Sequence, residues 1–518
     1  MGMRRNLSDL LDTTFDLLVV GAGIHGASIA WDACLRGLSV AIVDRGDFGA
    51  ATSANSLRIV HGGLRYLARG DLPRMLESIR ERSTLLRIAP GLVEPLPVLI
   101  PIYRGVSRGW AAWRTALLVN DLISRRRNRG LPSDRLIPGG RLVSREECRR
   151  LFPWFAPHGL SGGALWYDAR MRHPERLTLS FVRSAAERGT VVANYVRVDQ
   201  LLVRDGRAEG ATVTDLDRGS QFEVRSRAVV VAAGPWTAEL IAGTLGQGVR
   251  GITTGRALAV NLVIDRALAD VAVATLAHSS FAEDPVGGGN RYLFAAPQDG
   301  LTLLGTGYSV ADDGNWSVTR ERGMVSLLRE FNQACPGLEL SAGEVLGCQW
   351  GWLPLKGRHE RGRSTALAER PRIIDHGTAN QVRHLMSVEG VKYTTARRIA
   401  ERVVDWAFQD LGRASPRCLT TEVQLDSAGE GDFARTGGML STTDIRRAIH
   451  QEMALKLSDI LRRQSGLSMA TRLSRTKVAE AARLAGTELG WDAMRQEAEI
   501  EDVMRQTGSP LVAQEPVG

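Results

Sequence analysis

The sequence predicts an α/β chain: a parallel strand–helix–strand unit near the N-terminus, antiparallel β material in the middle and a separate helical region at the end. Three observations predict it. Asp16–Asp44 holds two short apolar runs joined by a glycine-rich turn and a helical stretch. Residues 191–306 alternate strand-like runs with turn signals, and residues 441–504 carry apolar positions at helical spacing.

Leu17–Val20 is short and β-branched enough to be a buried strand, and Gly21-Ala22-Gly23-Ile24-His25-Gly26 follows at once. The helical stretch runs to Arg36, stopped by Gly37, and a second strand, Ser39–Val43, ends on Asp44. Gly21 permits the tight turn, Gly23 lets backbone approach a pyrophosphate, and Gly26 lets the helix lie close on the strands. Asp44, 23 residues beyond Gly21, stands where a carboxylate can accept hydrogen bonds from an adenosine ribose. A bare glycine motif is weak in a chain with 55 glycines. With all five parts in register it predicts a dinucleotide site, though it does not separate FAD from NAD.

At 518 residues the chain is long enough for two or three domains. Its net charge of +9 reflects an arginine bias, since four of 66 basic residues are lysine, and no nucleic-acid module is visible. Cys34, Cys148, Cys335, Cys348 and Cys418 form no CxxC and no metal spacing, so free thiols in a reducing compartment are expected and no metal. Met1–Thr14 lacks the apolar core of a signal peptide, and no run approaches the ~18 apolar residues that span a bilayer. A cytoplasmic or membrane-peripheral protein is expected.

The small-residue loop Gly49–Ser56 can approach a cofactor without clashing, and His61-Gly62-Gly63 sets a polar group on a turn before a helix over Pro73–Leu86. Leu96–Pro101 reads as a strand. Trp110–Ile123 followed by Arg125–Arg129 reads either as an amphipathic segment resting on anionic lipid or as a solvated helix flank. Val191–Asp217 is hairpin material, and Ala257–Ile264 and Tyr292–Thr306 are further strands. Ser427–Gly438 reads as a linker, Ser441–Asp444 as a capping box, and Ile445, Ile449, Met453, Leu457 and Leu461 as one helical stripe. Further helices follow at Lys477–Leu484 and Asp492–Met504.

Residues 51–67, ATSANSLRIVHGGLRYL, resemble the ATSxxSxxxHGGxRYL segment of the FAD-dependent glycerol-3-phosphate dehydrogenases, within the D-amino-acid-oxidase-like flavoproteins. Trp166–Arg170 is similar to that family's W-x-D-A-R element. Val231–Trp236 is similar to its N-A-T-G-P-W strand, with Ala233 for Thr, and Ser387–Arg397 to its G-G-K-x-T-T-x-R motif. The resemblance implies a Rossmann-like FAD-binding domain (1–90, 166–240, 361–415), a cap region (91–165), an antiparallel β substrate domain (241–360) and a helical C-terminal domain (416–518). It implies FAD at Gly21, Ala22, Gly23, Ile24, Gly26, Asp44, Thr52, Ser53, His61, Gly62, Gly234, Gly390, Lys392 and Thr394. An anionic small-molecule substrate is implied at Arg65, Tyr66, Arg370 and Lys392, with Arg65, Lys392 and His61 in catalytic roles.

The implied chemistry is hydride transfer from a secondary alcohol, sn-glycerol 3-phosphate or a related compound, to flavin, then electron transfer to quinone or another acceptor. Peripheral membrane contact and a homodimer accord with the resemblance. The substrate half departs from the family pattern: Leu353 stands for the arginine of G-V-R-P-L, Ala257 for the histidine of K-G-S-H, Gly305–Tyr308 for G-T-T-D, and Val391 for a glycine. These departures keep two alternatives open, a different hydroxy or amine substrate and a flavin-binding protein without catalysis. Trp350 and Trp352, flanking the changed segment, read as an apolar or cation-accepting wall or as core.

Overall fold

The computed structural model describes residues 2–67, 69–105, 109–246, 248–253, 255–278, 286, 290–310, 316–357, 366–426, 441–465 and 473–506. The linker read at Ser427–Gly438 lies outside the described residues, as does Thr254.

The first strand, Thr14–Val20, is buried from Phe15 onward because it lies inside a sheet covered on both faces. It pairs in parallel with Val40–Val43 on one side and with Gln221–Val231 on the other. The sheet runs Arg372–Asp375, Leu385–Glu389, Gln221–Val231, Thr14–Val20, Val40–Val43, Val191–Ala193, parallel except for the first of these. The hairpin Val196–Arg204 with Arg207–Asp215 joins it antiparallel. Helices Ile24–Leu35, Pro174–Ala186 and Ala396–Asp410 pack on one face, around Trp31 and Phe181, whose rings meet edge to face at 5.3 Å.

A second sheet orders Val345–Pro354, Arg256–Ile264, Leu301–Ser309, Asn290–Gln298, Ala272–His278, Val93–Tyr103, Leu160–Met171 and Ile59–Val60. The strands from Arg256 to Pro354 pair with one another antiparallel, as expected, and the sheet is extended by a parallel pairing of Ala272 and Val273 with Val98 and Leu99, where strands from two distant segments meet. Trp166–Arg170 lies in this sheet, within Leu160–Met171, so a boundary drawn at 166 falls inside a strand. The sheets meet where Thr52 Oγ1 accepts the Trp352 N–H at 3.2 Å.

The C-terminal helices have their own core of Ile445, Ile449, Leu457, Leu461, Ala482 and Val503. Ser441 and Asp444 form the expected capping box. The single stripe through Leu461 is corrected. The first helix ends at His450, and Met453 takes a left-handed conformation (φ 61°). Its side chain therefore leaves the helical core and packs against the nucleotide-fold core instead, and a new helix begins at Leu457. Among the described residues, no helix is long and apolar enough to cross a membrane, and the five cysteines are free thiols.

Candidate functional site

The glycine turn builds the floor of a cavity of about 730 Å³. Gly21 has φ +99°, and a Cβ there would stand 2.7 Å from the Ala232 carbonyl oxygen, so glycine alone lets the first strand turn beside the return strand. The helix that follows starts at Gly23 without a side-chain cap of its own, and its first turn opens on the cavity. Ser53 Oγ, from the small-residue loop, accepts the Ile24 N–H at 3.0 Å. Asp44 is held on the wall by the N–H groups of Ala22 (2.6 Å) and Gly46 (2.8 Å). Burial raises its pKa, and those two bonds oppose the shift.

The opposite wall comes from the second sheet. Ala259 and Asn261 of one strand stand opposite Gly351 and Gln349 of the next, and Ala257 is the cross-strand partner of Leu353. Leu353 and Trp352 line the cavity. Ala257 points to the same face but is fully buried beneath Val286 and Leu355, so it does not reach the wall. Asn261 was missed from the sequence. It is buried, and its Oδ1 accepts from Thr306 Oγ1 at 2.9 Å. Its signal was available as the one polar residue inside the apolar run Ala257–Ile264.

Gly390 closes the cavity from the end of Leu385–Glu389, where a Cβ would lie 2.0 Å from the His25 ring. Burial lowers the His25 pKa to about 4, so the ring is neutral near pH 7. Lys392 lies two residues on and lines the cavity. Its Nζ donates to Tyr66 Oη, which also accepts from Arg65 Nη2 at 3.1 Å. Burial would raise the Tyr66 pKa, but the charges of Arg65 and Lys392 outweigh it and the net shift is downward. The Lys392 pKa is lowered chiefly by burial, against the attraction of Tyr66. His61 packs edge to face on Tyr66, ring centres 5.9 Å apart, with both ring nitrogens buried and without a hydrogen-bond partner among the described residues. Its pKa falls well below the usual value, first through burial and then through Arg65, Lys392 and Arg82.

Of the residues singled out from the sequence, the wall takes in Gly21, Gly23, Ile24, Asp44, Thr52, Ser53, Gly234, Gly390 and Lys392. Others support it from behind. Gly26 lets the helix touch the turn: a Cβ there would come within 1.8 Å of the Gly21 carbonyl oxygen. The Ala22 N–H is spent on Asp44. The Gly62 N–H donates to Asp168 Oδ1 at 2.5 Å, and Arg82 pairs with the same carboxylate at 3.1 Å, so the aspartate of the W-Y-D-A-R element clamps the His61–Gly63 turn. Thr394 is buried off the wall, and Tyr66 is buried behind Lys392. Arg65 is exposed apart from its bond to Tyr66. Arg370 is not brought to the cavity: its side chain is 75% exposed and pairs with Asp71 at 3.5 Å, because Glu369 beside it is drawn outward by Arg69 and Arg74. Arg397 of the late motif is structural, buried against Glu81 at 2.6 Å.

The helix start opening on the cavity, the glycine turn, Asp44 and the two walls suit a dinucleotide with a bulky ring system. Residues 16–406 match the FAD dependent oxidoreductase (DAO) family, and the chain belongs to it. A glycerol-3-phosphate dehydrogenase of Synechocystis is 29% identical over 90% of this chain and 91% of its own length. The aerobic glycerol-3-phosphate dehydrogenase of Bacillus subtilis is 29% identical over 77% of this chain and 68% of its own. The glycerol-3-phosphate dehydrogenase structure of Bacillus halodurans, complexed with FAD, superposes with a TM-score of 0.71 at 21% identity and covers 98% of each chain.

Proposed function

We propose that this FAD-dependent oxidoreductase is a dehydrogenase of a small anionic secondary alcohol, sn-glycerol 3-phosphate or a close relative, which it converts to the ketone. The observation that carries the reading is the Arg65–Tyr66–Lys392 cluster, whose lysine stands on the cavity wall. FAD, when bound, would supply the two-electron acceptor for the alcohol's hydride, with quinone or another acceptor as the final oxidant. Gly23 and the helix turn that follows it would hold its pyrophosphate and Asp44 its ribose. Lys392 and Arg65 supply fixed cations for the substrate's anionic group. Tyr66 Oη, accepting from both cations, and Lys392 Nζ form a proton-sharing pair that can take the hydroxyl proton. The test is anaerobic addition of sn-glycerol 3-phosphate to the FAD-loaded protein. Bleaching of the flavin absorbance is expected, and an unchanged spectrum overturns the substrate assignment.

One feature favours a second reading, a different hydroxy or amine substrate. The wall at Leu353 is apolar, and Trp352 beside it packs edge to face on Trp316 at 4.0 Å and on Trp350 at 6.2 Å. A panel of alcohols and amines in the same bleaching assay separates the two. For quinone access we read the helix Trp110–Ile123 as the membrane-facing element. It exposes Trp110, Leu118 and Leu122, the last two by 62% and 67%, and runs into Arg125, Arg126 and Arg129. Sedimentation with anionic vesicles, lost in Leu118→Glu/Leu122→Glu, tests it.

A further inference from the structure

The loop after Val40–Val43 is held from outside the nucleotide fold. Asp47 lines the cavity and is 5% exposed. Its Oδ1 accepts from Arg463 Nη2 at 2.5 Å and from Asn194 Nδ2 at 3.2 Å. Arg463 belongs to the C-terminal helix Leu457–Ser465, 416 residues along the chain, and is itself buried. Asn194 Nδ2 also donates to the Met453 carbonyl at 2.9 Å, the residue whose left-handed backbone breaks the C-terminal stripe. Next to it, Tyr195 Oη donates to Asp459 Oδ1 at 2.7 Å. Three backbone bonds tie this segment to the cavity loop: Asp44 N–H to Ala193 O (3.0 Å), Tyr195 N–H to Gly46 O (3.2 Å) and Val196 N–H to Asp44 O (2.8 Å).

We infer that the C-terminal helical unit is part of the cofactor-binding apparatus, with Arg463 as a positioning residue that holds the Asp44–Asp47 loop, through Asp47, in the shape that receives the adenosine side of FAD. The inference rests on the FAD reading above and is independent of the substrate. A carboxylate desolvated at a cavity wall keeps its place only while it is paired. Without the guanidinium, Asp47 turns away or takes up a proton. Gly46, whose N–H anchors Asp44 Oδ1, is its immediate neighbour, so the displacement reaches the ribose-binding carboxylate across one residue.

The test is the rate of FAD release from the purified holoenzyme on dilution, read as the rise of free-flavin fluorescence. Arg463→Met is expected to release FAD at least tenfold faster than wild type, and Arg463→Lys, which keeps the charge, to recover part of the loss. Glu452→Gln is the control. It breaks a buried ion pair with Arg176 (2.7 Å) that docks the same C-terminal segment, and neither residue lines the cavity. It should lower Tm and leave FAD release within twofold of wild type. Release from Arg463→Met within twofold of wild type overturns the inference, as does equal acceleration by Glu452→Gln, which would reduce Arg463 to general docking. Should Arg463→Met yield no soluble protein, Asn194→Ser removes the second donor to Asp47. At least threefold faster release is then expected, and a wild-type rate overturns the inference. A wild type that takes up no FAD overturns it together with the FAD reading, whereas failure to oxidise sn-glycerol 3-phosphate touches only the substrate.

Discussion

Gly23 and Gly26 lie three residues apart in one turn, and the structure assigns them opposite kinds of work. A Cβ at Gly26 would stand 1.8 Å from the Gly21 carbonyl oxygen and 3.3 Å from Val19 Cγ1. Real Cβ atoms essentially never approach a heavy atom closer than 3.0 Å, so Gly26→Ala requires a separation of at least about 1.2 Å (3.0 − 1.8) between helix and turn. The helix cannot slide to provide it, because eight of its neighbours from Ile24 to Ala33 are buried, against strands and two other helices. Overpacking of this kind costs about 3 kcal/mol, at the upper end of what inserted methylenes cost in cores, because the obstacle is backbone. At Gly23 the backbone is extended (φ −69°, ψ 177°), a conformation any residue adopts, and a Cβ meets only Ser53 Oγ at 3.1 Å. Gly23→Val therefore spares the fold and puts two methyl groups where the pyrophosphate must approach. Thermal denaturation of the apo-protein and FAD titration by fluorescence quenching separate the two. Gly26→Ala should lower Tm markedly and lose FAD with it, whereas Gly23→Val should keep Tm and weaken FAD binding at least tenfold. A stable Gly26→Ala protein, or a Gly23→Val protein with wild-type FAD affinity, would refute the assignment of the turn.

Arg65→Ala and Lys392→Met should leave FAD bound and lower kcat/KM tenfold to a hundredfold, the equivalent of about 1.5–3 kcal/mol for a lost charge-assisted hydrogen bond, and normal turnover in both would reassign them to surface duty. Leu353→Arg adds a cation on the cavity wall and should lower KM for an anionic substrate, read by steady-state kinetics. Ala257→His should instead destabilise by about 1–3 kcal/mol, because the imidazole must displace Val286 and Leu355, so the double change is expected to lose in Tm what it gains in the site. His376 is fully buried, bonded to Ser387 Oγ at 2.9 Å and to Asn380 Nδ2 at 2.8 Å, and burial lowers its pKa to about 4 from 6.5. The unfolded chain takes up that proton below pH 6.5 and the folded one only near 4, so stability falls as pH drops through this window, by up to about 3 kcal/mol. In His376→Gln the slope of urea-unfolding free energy against pH between 6.5 and 4 should flatten, and an unchanged slope would assign it to other groups.

The nucleotide fold was legible because its information is local. Strand, glycines, helix and acid follow one another within Asp16–Asp44, and each residue's duty there is set by near neighbours: Gly21 by a positive φ, Gly26 by contact with Gly21, Asp44 by the N–H groups of Ala22 and Gly46. The capping box at Ser441–Asp444 was legible for the same reason. Periodicity alone misread the stretch beyond it, since an apolar residue every fourth position does not reveal that Met453 turns left-handed to serve another core.

What the chain order determined by itself was therefore the dinucleotide turn and the class of fold. Only the tertiary structure decided that Arg370 faces solvent, that Ala257 lies buried opposite Leu353, that Asp168 fixes the His61 turn, and that Arg463 reaches Asp47. The physical reason is common to these four. Each depends on which side chain fills the space beside another across more than ninety residues of chain, or on which partner is nearest to a charge once the sheets have met, and neither is written in the spacing of neighbours.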